Sequence, residues 1–369
     1  FKTGLTLQGD NCIDVYTQDA GLIAFVENGS LTGFNLVVGG GMGMTHNKPD
    51  TFAALARPLG FLEPDHVVDA VKTVAAIFRD FGNRADRRHA RLKYLIAERG
   101  MDWFREEFTR RALFPLHEWR AMQPLRCEDH LGLHEQPDGK VFYGVHVPNG
   151  RVRDDGDRRI KSALRKIVQE FQPGLILTPQ QNILLSGLER DAVPRIERLL
   201  EEHGVTPAPR LAPARRFAMA CPALPTCGLA MSESERVMPG LLDRLERLLA
   251  ELGLRDAPIS IRMTGCPNGC TRPYTADIAF VGRRPGAYHV YVGGGLPGDR
   301  VVDLYERDVP LEEVDTTLRP LLAAWARHRR NGESLSDYYR RVLEHAQPRT
   351  TITGKETPTR ETFERSIGA

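Results

Sequence analysis

Four cysteines in the last third of the chain carry the strongest chemical signal: Cys221, Cys227, Cys266 and Cys270. They form a Cys-x5-Cys pair and a Cys-x3-Cys pair with 38 residues between them. The local texts are Cys221-Pro222-Ala223-Leu224-Pro225-Thr226-Cys227-Gly228 and Thr264-Gly265-Cys266-Pro267-Asn268-Gly269-Cys270. Four thiolates are what a cubane iron–sulfur cluster requires. Proline after the first cysteine of each pair fixes φ, and nearby glycine permits the tight turns that wrap a loop round a metal centre. Structural zinc also takes four cysteines, although its knuckles usually space them by about two to four residues. Two disulfides are a further reading, better suited to small secreted domains than to a chain of enzyme size. Cys12 and Cys127 sit in unrelated contexts and read as ordinary reduced thiols.

The elements that position these cysteines have room to form. A chain of 369 residues can hold two or three domains. The net charge of +2 hides 50 basic and 48 acidic residues, so no basic tract points to nucleic acid. No apolar run is long enough to span a membrane. The opening Phe1-Lys2-Thr3 reads as the inside of a strand, and the expectation is a piece of a longer protein.

An internal repeat suggests a duplicated domain. Ile23-Ala24-Phe25-Val26 followed by Val38-Gly39-Gly40-Gly41 matches Ile278-Ala279-Phe280-Val281 followed by Val292-Gly293-Gly294-Gly295. Leu62 through Gly82 parallels Val309 through Gly332, both with helical apolar spacing. This alignment sets Asn11 opposite Cys266 and Val15 opposite Cys270, so the first copy lacks cluster ligands there. Occurring in both copies, the glycine triplets point to a shared structural role. Between the copies, Gly139 to Val147 alternates like a strand and Ile160 to Phe171 like a helix. Leu175 to Thr178 and Ile183 to Leu185 follow as strands, and Val193 to Leu200 as a helix. That order fits a small ferredoxin-like half-domain.

Two polar stretches are candidate binding elements. On a helix, Arg84, Arg87, Arg88 and Arg91 would share one face, which could be solvated or could bind an anionic group. Gln181 and Asn182, between two predicted strands, could hydrogen-bond carboxylates or simply form a polar hairpin. No Gly-x-Gly-x-x-Gly with a downstream acid follows a strand, so no nucleotide site is expected. His46, His89, His134 and His146 show no spacing that demands a metal.

The paired cysteine texts closely resemble those of the sirohaem-dependent sulfite and nitrite reductases. The resemblance implies an α+β fold with duplicated sirohaem/iron–sulfur reductase domains and an intervening ferredoxin-like half-domain. The expected divisions are a first copy over 1–118, the half-domain over 119–208, a cluster-bearing second copy over 209–347 and a mobile tail over 348–369. By resemblance, Cys221, Cys227, Cys266 and Cys270 ligate a [4Fe–4S] cluster, and Cys270 shares its sulfur with the sirohaem iron. Asn83, Arg84, Arg87 and Arg91 match the family's Gly-Asn-Arg segment, and Gln181 and Asn182 its Gln-Asn segment, as sirohaem contacts. Lys2 matches the second lysine of the family's Arg-Lys-Phe-Lys segment, near the bound anion. Lys2, together with Gly269 in Cys-Pro-Asn-Gly-Cys, favours sulfite over nitrite. Stretches near Gly39 and Leu131 look like the ferredoxin-dependent enzymes, with a flavoprotein reductase subunit as the other donor. The expected compartment is cytoplasm or plastid stroma. The alternatives are nitrite reduction and a cluster-only electron carrier.

Overall fold

The computed structural model describes residues 1–344 and 360–366. Its first sheet runs β1 (Thr3–Leu7), β2 (Ala20–Glu27), β3 (Ser30–Val38) and β4 (Arg57–Leu62) in spatial order. β1 and β2 are parallel, and the other pairs are antiparallel. Helices α1 (Val67–Phe81), α2 (Leu92–Arg99) and α3 (Met101–Arg111) follow. Ala70, Val74 and Ile77 lie on one stripe of α1 and pack with Leu22, Leu36 and Phe104.

The middle unit comprises β5 (Gly132–Glu135), β6 (Val141–Val145), a short ribbon of β7 (Asp154–Asp155) and β8 (Arg158–Arg159), α4 (Ile160–Phe171), β9 (Gly174–Leu177), β10 (Ile183–Leu188) and α5 (Val193–Glu202). Its sheet has the order β5-β6-β10-β9. Ile160, Ala163, Leu164 and Ile167 of α4 join Ile196 and Leu199 of α5 over that sheet.

The last unit adds α6 (Pro213–Arg216), β11 (Met219–Ala220), α7 (Met238–Glu251), β12 (Ile261–Thr264), β13 (Ile278–Arg284), β14 (Ala287–Val292), β15 (Asp303–Pro310), α8 (Val314–His328), α9 (Leu335–Glu344) and α10 (Arg360–Ser366). Its sheet runs β11-β12-β13-β14-β15, so β12 to β15 repeat the pattern of β1 to β4. Of the tail expected to be mobile, 348–359 and 367–369 lie outside the described residues. α10 is docked instead, with Phe363 buried against Tyr339. No helix among the described residues is long and apolar enough to cross a membrane.

The repeat aligns differently from the sequence expectation. Val38 and Val292, each before a glycine triplet, pair with Ala20 and Ile278. Upstream, left-handed Asp14 and Arg272 each open a 3-10 turn containing Tyr-Thr. The separation across this stretch is therefore 258 residues, as between Asp14 and Arg272. Gln8, not Asn11, stands opposite Cys266, and Cys12, not Val15, stands opposite Cys270. The apolar tetrapeptides misled because β2 and β13 are buried on both faces, so their text survives a slip of register. The triplets do share a role: a Cβ on Gly40 would lie 2.2 Å from Tyr16 O, and one on Gly294 would lie 2.4 Å from Ala276 O.

Candidate cofactor site

The two cysteine loops leave adjacent strands. β11 and β12 are parallel, and Cys221 and Cys266 lie just beyond their C-terminal ends. The Cys221 N–H donates to Met263 O at 3.2 Å, and the Gly265 N–H donates to Cys221 Sγ at 3.3 Å. A side chain on Gly265 would meet Ser232 O at 2.6 Å, so only glycine lets the loops approach this closely. Cys221 and Cys266 are each 8% exposed, Cys227 is half-buried and Cys270 is exposed.

Cys266 and Cys270 both feel the charge of the neighbouring cysteine sulfurs. Burial pushes the Cys266 and Cys270 thiols up, and the neighbouring sulfurs add to the shift. The Asn268 N–H on Cys266 and the cation of Lys2 near Cys270 pull the other way. Four clustered thiols need a strong positive centre to become thiolates, and a bound metal supplies one. Four thiolates round a single zinc would be about 3.8 Å apart, given Zn–S bonds near 2.3 Å. Among the described residues no three of these sulfurs fall within 4.8 Å of one another, which is wider than a single zinc would hold them.

The first copy forms the opposite wall. The Met44 N–H donates to Pro267 O at 2.9 Å, and a Cβ on left-handed Gly269 would sit 3.2 Å from Met42 O. Lys93 holds this wall from behind. Its Nζ donates to Gly41 O at 3.2 Å, to Gly43 O at 2.6 Å and also to Phe52 O. Burial, then the charge of Arg91, pushes the Lys93 ammonium down to about 7. Arg91 forks onto buried Asp19 at 3.1 and 3.0 Å, and the Lys2 N–H donates to the same carboxylate at 2.8 Å. The Lys2 backbone and the Arg91 side chain thus share one anchor, and the Lys2 charge reaches Cys270.

Other predicted residues lie elsewhere or act differently. The stretch from Gly82 to Arg91 is an irregular loop, not a helix. Asn83 Oδ1 accepts the Ala85 and Asp86 N–H groups, and Asp86 accepts that of Arg88. Such local bonds compete with a helix. Asn83, Arg84 and Arg87 are exposed on this loop, which leads into Arg91. Gln181 grips Ala220 instead, donating to its carbonyl at 2.8 Å and accepting its N–H at 3.1 Å. It therefore fixes the residue before Cys221. Asn182 is buried, and its Oδ1 accepts the Val147 N–H at 3.1 Å while its Nδ2 has no partner.

A buried ion network escaped the sequence reading. Asp14 Oδ2 accepts Arg262 Nη1 at 2.7 Å and also Arg272 Nε. Burial alone would raise the Asp14 carboxyl, but the two guanidinium groups hold it below its ordinary value. Arg272 Nη2 also donates to Pro179 O at 3.2 Å, so one side chain touches all three units. The charged residues amid apolar text, Asp14, Lys93 and Arg262, were the available signal.

A family model described as the nitrite and sulphite reductase 4Fe-4S domain matches residues 1–115 and 212–342. The chain belongs to the nitrite and sulphite reductase family. A second model, the nitrite/sulfite reductase ferredoxin-like half domain, matches residues 134–203. One relative, sulfite reductase [ferredoxin] of Synechococcus elongatus, is 46% identical over 93% of this chain and 55% of its own length. Another, the sulfite reductase [NADPH] hemoprotein beta-component of Staphylococcus haemolyticus, is 43% identical over 92% of this chain and 59% of its own. The chain thus spans somewhat more than half the length of these relatives. The solved structure of Mycobacterium tuberculosis NirA superposes with a TM-score of 0.76 at 27% identity, covering 89% of this chain and 61% of that one. In this nitrite and sulphite reductase family member, the first copy meets the Cys266–Cys270 loop through the backbone of Met42 and Met44.

Proposed function

We propose that this chain is the cofactor-bearing part of an assimilatory sulfite reductase that reduces sulfite to sulfide with six electrons. The observation that carries the reading is the set of four converging thiols whose one exposed member, Cys270, lies beside the cation of Lys2. When bound, a [4Fe–4S] cluster and a sirohaem would supply single-electron transfer and an iron able to take the anion. Cys221, Cys227, Cys266 and Cys270 would hold the cluster, with buried Cys221 and Cys266 keeping water from it. Exposed Cys270 is the sulfur suited to being shared with a second group. Arg91 with the loop residues Asn83, Arg84 and Arg87 would face sirohaem carboxylates, which suit forked guanidinium partners. Gln181 would steady the Cys221 side of the site through Ala220, with Asn182 beside it as a further cofactor contact.

The Lys2 ammonium would draw in the sulfite dianion, offset charge on the departing oxygens and hand over protons from Nζ. Lys2 and Gly269 favour sulfite over nitrite. A serine at 269 would press its Cβ against Met42 O. The relatives named sulfite reductase agree with this choice. The donor would be ferredoxin, with a flavoprotein reductase subunit as the alternative, and the compartment cytoplasm or plastid stroma. In the complete enzyme, Lys2→Asn should lower kcat/KM for sulfite by about 100-fold and raise the relative preference for nitrite. An unchanged sulfite-to-nitrite ratio would count against this use of Lys2.

A further inference from the structure

A second cluster of ligating side chains lies outside the cysteine site. Asp10, Cys12 and His130 bring one carboxylate oxygen, one sulfur and one imidazole nitrogen within 4.8 Å of one another. His130 Nε2 is 2.9 Å from Asp10 Oδ2, and the Cys12 N–H donates to Asp10 Oδ1 at 3.2 Å. The Cys12 sulfur lies within 4.8 Å of both the Asp10 carboxylate and the His130 ring nitrogen. All three residues are half-buried, so an ion could reach them while remaining shielded.

The backbone delivers these groups deliberately. Asp10 and Cys12 lie on the loop after β1, which continues into the buried Asp14. His130 lies 118 positions beyond Cys12, on the segment entering the middle unit. Its φ is +56°, a left-handed conformation uncommon for a residue with a side chain. Its carbonyl sits where any Cβ on Gly144 would be only 1.8 Å away, so glycine there is obligatory. The Asn11 N–H donates to Arg126 O at 2.6 Å, tying the same two segments a second time. Cys12 also stands opposite Cys270 in the structural repeat, each two residues before a left-handed residue that opens a 3-10 turn.

We propose that Asp10, Cys12 and His130 form a binding site for a divalent zinc ion, separate from the four-cysteine site. Mixed sulfur, nitrogen and oxygen donors suit zinc, which is commonly held by three protein ligands with water in the fourth position. Cys12 binds as thiolate and His130 as neutral imidazole, so uptake releases their protons to solvent. The ion clips the β1 loop to the segment entering the middle unit.

The test uses the complete, cofactor-loaded enzyme, incubated with one equivalent of zinc and desalted. Zinc and iron are counted by mass spectrometry, and the zinc K-edge spectrum gives the ligands without interference from iron. The expected result is about one zinc per chain, with one sulfur near 2.3 Å and nitrogen or oxygen near 2.0 Å. Cys12→Ser and His130→Ala should each lower retained zinc at least about tenfold, with iron per chain unchanged. If His130→Ala fails to fold, the near-isosteric Cys12→Ser decides the matter. No zinc retained by the wild-type protein, or equal zinc in wild type and Cys12→Ser, would overturn the proposal.

Discussion

The carboxylate of Asp14, 0% exposed, accepts a hydrogen bond from Arg272, two residues beyond Cys270. This pair crosses between the two copies of the duplicated fold and is completed by Arg262. It makes the position of the Cys270 loop depend on a residue 256 positions earlier in the chain.

Asp14→Ala would strand Arg262 as a buried, unpaired cation. Removing one partner of such a pair costs about 3–5 kcal/mol. The thermal midpoint should fall on the order of 10 °C. Differential scanning calorimetry checks this. A change of under a degree would mean that water or relaxation satisfies the arginines.

His146 gives a pH signature. Burial, then Arg215, pushes its imidazole down to about 4, against the hydrogen bond that its Nδ1–H donates to Asn182 Oδ1. Between about pH 6.5 and 4 the unfolded chain takes up a proton that the folded chain refuses. Stability is therefore intact above about pH 6.5 and falls as pH drops towards 4. His146→Asn should flatten that part of the denaturation profile by up to about 3 kcal/mol. Parallel profiles for the two proteins would contradict the buried neutral state.

Gln181→Leu should leave the Ala220 N–H and carbonyl without partners, at about 1–3 kcal/mol. Because Ala220 precedes Cys221, the expected readout is faster iron loss to a chelator, with near-normal folding by circular dichroism. Iron loss at the wild-type rate would argue that β11 is held by its strand pairing alone.

Cys270→Ser separates the exposed thiol from the other three. The variant should lose sulfite turnover and the electronic coupling between the two centres, seen as independent signals by electron paramagnetic resonance. Full turnover would refute the shared-sulfur role.

Much of this was legible in the sequence because short-range text carried it. The cysteine spacing, the glycine triplets and the half-domain's alternation each follow from local periodicity or turn chemistry. What failed depended on long-range pairing. The repeat slipped because two strands buried on both faces look alike at several offsets. The basic stretch at Arg84 to Arg91 has helical spacing, yet Asn83 and Asp86 capture backbone N–H groups and hold it as a loop. The bond between Gln181 and Ala220 was not legible, because nothing local announces a partner 39 positions away. Lys93 and Asp14 gain their meaning only when distant segments close over them.

A sirohaem coupled to a cubane on this scaffold would have a distinctive optical and elemental signature. The most direct test is the visible spectrum of the purified complete enzyme, with iron and acid-labile sulfide assayed on the same sample. Sirohaem bands towards the red end and more iron than labile sulfide are expected. A featureless spectrum with zinc at the four cysteines and no labile sulfide would contradict that pairing of cofactors.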